Sequence, residues 1–275
     1  MAVKNSIRTN VSAFSALHTL NLINRTTEAV QRQVSTGLRV SGALEDASNF
    51  AIAQGIRAEI EAYHAVNQGL RTALGLVKVG IAGATVLSDL LTDMREKSIA
   101  GRNPGLTDQQ RQILTNDFHD LRDQFDQLVI DASFNGTNLI NTVSTPITVL
   151  TNIQGGTYMI DSYRLQAVDL EFGRPDANLD DLVNAEAADG YVVDAIQTVG
   201  IALGGLGASA RFIETQIGFN ESLQDAAEVG LGNIVDADLA RASAELTAQQ
   251  VRQQLSIETV GIANRRPGAL LALFA

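Results

Sequence analysis

The chain has 275 residues, of which 45% are hydrophobic but only 5% aromatic, with four Pro, no Trp and no Cys. Lack of cysteine excludes a disulfide scaffold, thiolate zinc sites, iron–sulfur clusters and a cysteine nucleophile. A formal net charge of −11 argues against a general nucleic-acid binder, which needs basic surface to displace counterions.

Taken in chain order, the amino terminus runs Asn5-Ser6-Ile7-Arg8-Thr9-Asn10 after Lys4, too polar for the apolar core of a cleavable secretory signal. Ile7, Val11, Phe14, Leu17, Leu20 and Ile23 then form a helical stripe, continued weakly by Val30 and Val34. The strongest feature follows. Ile56, Ile60, Tyr63, Asn67, Leu70, Leu74, Val77, Ile81, Ala84, Ser88 and Leu91 alternate four and three apart without a break, the 3.5-residue seam of a coiled coil. Asn103-Pro104-Gly105 ends that helix. Leu114, Phe118, Leu121, Phe125, Leu128 and Ala132 repeat the spacing, with Asp117, Asp120, Arg122, Asp123 and Asp126 on the other face. A third seam comprises Ile196, Val199, Leu203, Leu206, Ala210, Ile213 and Ile217.

Between the second and third seams the texture changes. Ser133-Phe134-Asn135-Gly136 reads as a turn. Ile147–Asn152 and Thr157–Ile160 are β-branched runs around Gln154-Gly155-Gly156, which predicts a hairpin. Tyr163–Phe172 reads as a further strand and residues 173–190 as a polar connection. The predicted fold is mainly α: long antiparallel helices in a coiled-coil bundle with a small β-hairpin insertion at about 140–190. No window approaches the roughly 18 consecutive apolar residues of a membrane span, so no membrane insertion is expected.

At the carboxy end Ala237, Ala240, Ala244, Ala248, Val251, Leu255 and Ile262 make a largely alanine seam, followed by Leu270, Leu271, Leu273 and Phe274. A lone helix with so thin a seam does not stabilise itself in water, because packing supplies most helical stability. The two ends are therefore expected to need each other or neighbouring molecules. Their charge sets them apart too. Residues 1–35 carry +3, residues 236–275 balance to zero, and the middle holds −14.

Asn67 and Ser88 interrupt the long seam, and either set register or meet a less buried stretch. Gly200, Gly204, Gly205 and Gly207 lack the Gly-Lys-Ser/Thr of a phosphate loop and suit helix packing instead. His119 and Asp123 lie one turn apart, but a solvated face accounts for them better than a metal site. An enzyme would need converging polar groups in a pocket, and no such constellation is readable. No catalytic, cofactor-binding or metal-binding residue is assigned.

Several motifs resemble bacterial flagellin. Ile7-Arg8-Thr9-Asn10, Ser35-Thr36-Gly37-Leu38-Arg39-Val40, Asp46-Ala47 and Phe50-Ala51-Ile52-Ala53 are similar to the family's amino-terminal signature, and Phe134-Asn135-Gly136 to the turn after its second helix. Val235-Asp236-Ala237-Asp238-Leu239-Ala240, Gln253-Gln254-Leu255 and Ile262-Ala263-Asn264 resemble its carboxy-terminal signature. Gly42-Ala43-Leu44-Glu45 stands where the family usually has Asn-Ser-Ala-Lys-Asp. The short middle resembles flagellins that lack large outer domains.

The resemblance implies a structural subunit of the flagellar filament serving motility, not an enzyme. It implies paired terminal helices (1–35 and 236–275) in the filament's inner core, ordering on assembly, and a coiled-coil domain (36–235) around them. The implied partners are other flagellin subunits, a type III export apparatus with an export chaperone, and hook-associated and cap proteins, in an extracellular filament. A hook–filament junction protein shares the paired ends and is the alternative.

Overall fold

The computed structural model describes residues 9–175 and 177–271. Its elements in chain order are α1 (Val11–Thr36), α2 (Ala47–Gly101), α3 (Asp108–Asp131), β1 (Ser133–Phe134), β2 (Thr137–Asn138), β3 (Ile147–Leu150), β4 (Thr157–Ile160), α4 (Leu182–Val235) and α5 (Leu239–Leu271). Two compact units result, one made of Met1–Ala58 with Ala226–Ala275 and the other of Glu59–Asp225. The units divide inside α2 and α4. Within the first unit, Leu38 and Asp236 form an antiparallel bridge between the α1–α2 and α4–α5 breaks.

The helix ends follow from short-range chemistry. Asn10 caps α1 by accepting from the Ala13 amide at 3.1 Å, and Gly37 (φ 73°) ends it in the left-handed region that glycine adopts freely. Thr107 and Gln110 form a reciprocal capping box at the start of α3. At the end of α2, the buried Arg111 guanidinium donates to the carbonyls of Gly101 at 2.7 Å and Asn103 at 2.8 Å, satisfying acceptors that the helix leaves open.

In the Glu59–Asp225 unit, α2 and α4 run antiparallel. Asn67 meets Asn220, Lys78 meets Glu214 at 2.9 Å and Arg102 meets Asp189 at 3.1 Å, so rising numbers on one helix oppose falling numbers on the other. The core between α2, α3 and α4 is apolar. Phe118, Phe125 and Phe172 are fully buried together with Leu70, Leu87 and Leu91, and the Phe125 and Phe172 rings meet edge to face with centroids 5.1 Å apart. By length and composition, α2 and α4 each contain an 18-residue stretch apolar enough to cross a membrane, which corrects the expectation that none approaches one. The signal arises because these helices line a core: Leu70, Val77 and Leu87 on α2 pack in one cluster with Val199, Leu206 and Ile213 on α4.

Two hairpins sit in the middle of the chain. Asn135 (φ 50°) and Gly136 (φ 78°) close β1–β2, the two-residue turn that an Asn-Gly pair favours. β3 and β4 pair antiparallel from Ile147↔Ile160 to Leu150↔Thr157. Tyr163–Phe172 is not a strand. Its amides at Tyr163 and Leu165 donate to the Leu139 and Ile140 carbonyls, and the chain then coils back with the Leu170 amide on the Gln166 carbonyl. Leu165, Ala167, Leu170 and Phe172 are buried, so the apolar pattern records core filling by an irregular segment. The polar connection also stops short of 190, because Asp181 caps α4 through the Asn184 amide at 2.7 Å.

Asn67 and Asn220 are both buried. Asn220 Nδ2 donates to Asn67 Oδ1 at 3.1 Å and to the Thr151 carbonyl at 2.9 Å, while Gln216 Nε2 reaches that same carbonyl at 3.1 Å. A less buried stretch therefore does not explain Asn67. The amides tie α2, α4 and the β3–β4 hairpin at one level, and any slip in register would leave them unpaired in the core. Of the four clustered glycines, Gly205 lies beneath the Tyr163 hydroxyl, whereas Gly200 and Gly204 have open space where a Cβ would stand.

Candidate subunit-packing surface

The pairing of α1 with α5 shows how the chain ends are handled. Asn10 Nδ2 donates to the Ala263 carbonyl at 2.8 Å and Gln253 Nε2 to Asn24 Oδ1 at 2.8 Å. The Ala237 amide donates to the Gly37 carbonyl at 2.9 Å, so the two helices are antiparallel. Their Cα atoms come within 8 Å along the seam.

Apart from Val30, the face each helix gives to the other is small or polar. On α5 the buried residues are Ala242, Gln249, Ser256 and Ala263, seven apart, and on α1 they are Ala13, Thr27 and Val30. Small side chains permit close approach, but they bury little apolar area, and area sets the hydrophobic gain.

Of the stripes read from the sequence, Val30 lies in this seam and most of the rest points elsewhere. Val11, Phe14 and Leu17 are exposed on α1, Phe14 at 64%, while Leu20 and Ile23 are half-buried. On α5, Ala244 and Ala248 are exposed, as are Val251, Leu255 (58%) and Ile262. Ile7 and Leu273 lie outside the described residues, and Leu270 is described only as part of α5. The sequence reading missed the intrachain seam itself. Its heptad signal, Ala242 to Ala263 in steps of seven, is present but carried by Gln and Ser, which a search for apolar periodicity passes over.

The coiled-coil seams behave differently. Ile60, Tyr63, Leu70, Val77 and Leu91 are buried on α2, with Ile56, Leu74 and Ile81 half-buried. On α3, Phe118 and Phe125 are buried, while Leu114, Leu121 and Leu128 pack partly buried against the same core. On α4, Val199, Leu206 and Ile213 are buried, with Ile196 and Leu203 partly so. The greasy face of α2–α4 is thus satisfied within the chain, and that of α1 and α5 is not.

An open groove of about 570 Å³ runs between α1 and α5, lined by Val11, Ser15, Ala16, Thr19, Leu255 and Thr259 among others. Within this unit the link from α1 to α2 is tightly held. The Arg39 and Val40 amides donate to the Val235 carbonyl, and the Arg39 guanidinium donates to the Ile234 carbonyl. The Ser41 amide and hydroxyl donate to Glu45 Oε2 at 2.7 and 3.0 Å, and Asp46 caps α2 through the Asn49 amide at 3.0 Å.

The Ser41 amide, more than any other group, holds the Glu45 carboxyl below its ordinary value of 4.5. The Asn49 amide does the same for Asp46, whose ordinary value is 3.8. A carboxyl with a depressed folded-state pKa contributes stability above its unfolded value and loses it as pH falls through the folded value. The turn should therefore hold at pH 5 and loosen in more acid solution, with small effect on overall stability because both groups are at the surface. Amide chemical shifts of Ser41 and Asn49 followed by NMR are expected to move together, with midpoints below pH 4.5 and 3.8 respectively. Midpoints above those values would contradict the assignment.

The bacterial flagellin N-terminal helical region matches residues 7–145 and the bacterial flagellin C-terminal helical region matches 190–274. Flagellin FljK of Caulobacter vibrioides is 31% identical over 270 residues, covering 98% of each chain. A flagellin of Brucella melitensis is 30% identical over 283 residues, covering 98% of this chain and 99% of that one. In structure, Bacillus cereus flagellin aligns with a TM-score of 0.51 at 20% identity, over 55% of this chain and 88% of that one. A putative flagellar hook-associated protein of Vibrio parahaemolyticus aligns at 0.58 and 15% identity, over 70% of this chain and all of that one. The two structural likenesses speak to fold alone. The sequence matches run through both helices of the α1–α5 pair and through the long helices between them, and on them the chain belongs to the bacterial flagellins, the structural subunits of the flagellar filament.

Proposed function

We propose that this chain polymerises through the outward stripes of α1 and α5, and that these two helices become fully ordered only on assembly. One observation carries the reading: the pair meets through small and polar side chains while Val11, Phe14, Leu17, Val251, Leu255 and Ile262 face outward. Each unpaired stripe gains about 25 cal/mol per Å² when covered, against an ordering cost of about 1–2 kcal/mol per residue. Those terms nearly cancel in one chain, and repeated contacts along an array tip them. Charge favours the same faces. The residues of the α1–α5 unit sum to +2 and those of the other unit to −13, so copies that meet through the first avoid strong like-charge repulsion.

In this reading the terminal pair lines the inner core of an extracellular filament and the acidic helical domain surrounds it. The chain is passed unfolded to a type III export apparatus by a chaperone, and meets hook-associated and cap proteins at the filament's ends. It has no catalytic role and does not enter a membrane. The hook–filament junction alternative has the weaker support, since the likeness to a hook-associated protein is one of fold while the flagellin relatives match in sequence along the whole chain. Electron microscopy of concentrated protein separates the two. Long tubes are expected from the full chain, and none from chains lacking residues 1–20 or the last twenty. A full chain that forms no long tubes would point to the junction role, and tubes from the truncated forms would remove the ends from assembly.

A further inference from the structure

Leu44 is fully exposed, at 104% of the reference area, and among the described residues no large hydrophobic side chain is more so. It belongs to no helical stripe. It stands at the tip of the turn between α1 and α2, and that turn is held from several sides. Glu45 takes both hydrogen bonds from Ser41 and pairs with Arg32 on α1 at 3.5 Å. The Glu45 amide donates back to the Gly42 carbonyl at 3.1 Å. Val40, just before the turn, is buried, and Asp46, just after it, caps α2.

None of these bonds uses the Leu44 side chain, so local structure gives no reason for a leucine there. A leucine on a mobile loop needs no explanation, since scattered exposed apolar residues are ordinary. One presented on a fixed turn is pre-organised, and binding through it costs little further ordering.

The same unit holds an open groove. It lies between α1 and α5, where Val11, Ala16 and Leu255 alternate with Ser and Thr side chains, and its volume of about 570 Å³ leaves room for a leucine side chain against those three apolar residues. The turn is also electrically balanced, Arg32 and Arg39 lying against Glu45 and Asp46, so apolar contact rather than charge steering would govern its docking.

We propose that Leu44 of one copy docks into the α1–α5 groove of a neighbouring copy. The occupant is a second copy because this chain belongs to a family of self-polymerising subunits, and because Arg32 ties the turn to α1, the helix that carries one outward stripe. Knob and groove are different patches of one unit, so the contact is head-to-tail and need not close into a ring. The inference rests on the assembly reading above and adds a residue-level contact to it.

The test uses the full chain. Burial of one leucine changes an association constant by roughly ten- to a hundredfold. Leu44→Asp is accordingly expected to raise the concentration needed for polymerisation at least about tenfold, while Leu44→Met stays near wild type. Thermal unfolding of the dilute monomer should not change, since the side chain touches nothing there. The chain has no cysteine of its own, so the double variant Leu44→Cys, Leu255→Cys reports the partner directly. Oxidation should give a ladder of disulfide-linked copies from polymer and none from dilute monomer.

Three results would overturn the proposal. Leu44→Asp polymerising at the wild-type concentration removes Leu44 from assembly. A raised concentration without cross-linking to position 255 removes the groove as its receptor. Leu44→Asp that polymerises normally when purified but accumulates inside the cell assigns the leucine to a cytoplasmic partner instead. Failure of the wild-type chain itself to polymerise would count against the underlying assembly reading, and is distinguishable from all three.

Discussion

The double variant Phe14→Asp, Leu255→Asp is expected to remain a folded, helical monomer and to lose polymerisation across at least a hundredfold range of concentration. Both side chains are largely exposed in the single chain, so neither substitution removes a core contact. In a packed array the same positions would be covered, and an uncompensated carboxylate in a dry interface costs several kcal/mol. Each subunit would bear that cost twice, and it would recur at every step of growth. Light scattering and sedimentation against concentration measure the loss, with circular dichroism as the control for folding. Tubes forming from the double variant near the wild-type concentration would show that the outward stripes are ordinary solvated surface. Substituting Gln249 and Ser256 by alanine provides the contrast, because those residues lie against α1 within the chain; their change should alter monomer helicity before it alters assembly.

Phe125→Ala should be the most damaging single change to the helical domain. The ring is fully buried and meets Phe172 edge to face at 5.1 Å. Truncation removes the transfer free energy of the ring and leaves a cavity, about 3–5 kcal/mol together, which is a large part of the net stability of a domain. The effect should be focused. Phe172 lies in the irregular segment after β4, which has no helix or strand ladder to hold it when side-chain packing is lost, so hydrogen exchange should accelerate first around residues 163–172. Urea unfolding gives the magnitude. A loss below about 1 kcal/mol would mean that the site collapses around the deletion and that Phe172 is held by other contacts.

Much of the helical domain could be read from the order of residues, for a physical reason. A heptad fixes which side chains share a face, and when that face is large and apolar only burial satisfies it. The α3 and α4 seams and the α2 seam from Leu70 onward therefore lie in or against one core. The terminal helices depart from this because two criteria compete there. Apolar content ranks Val11, Phe14 and Leu17 first, whereas the geometry of a close helix pair selects the small residues Ala13, Ala242 and Ala263. Sequence periodicity does not say which criterion a given pair obeys. Tyr163–Phe172 was illegible in another way, since alternating burial also arises when an irregular chain is anchored at Leu165, Ala167, Leu170 and Phe172. Asn67 stood out as a polar residue in an apolar seam, but its partner Asn220 lies 153 positions away in a helix with no comparable interruption in the third seam. The Leu44 turn was visible as a sequence, and only its bonds show that it is held.

The antiparallel match of α1 with α5 also has a consequence for synthesis. The Asn10 amide side chain finds its acceptor at Ala263, 253 positions later, so a growing polypeptide emerging from the ribosome carries α1 long before its companion exists. Contacts so distant along the chain close late and slowly. Throughout translation the amino-terminal segment consequently lacks the partner that would hold it helical, and a product arrested before Leu239 would leave that segment unpaired.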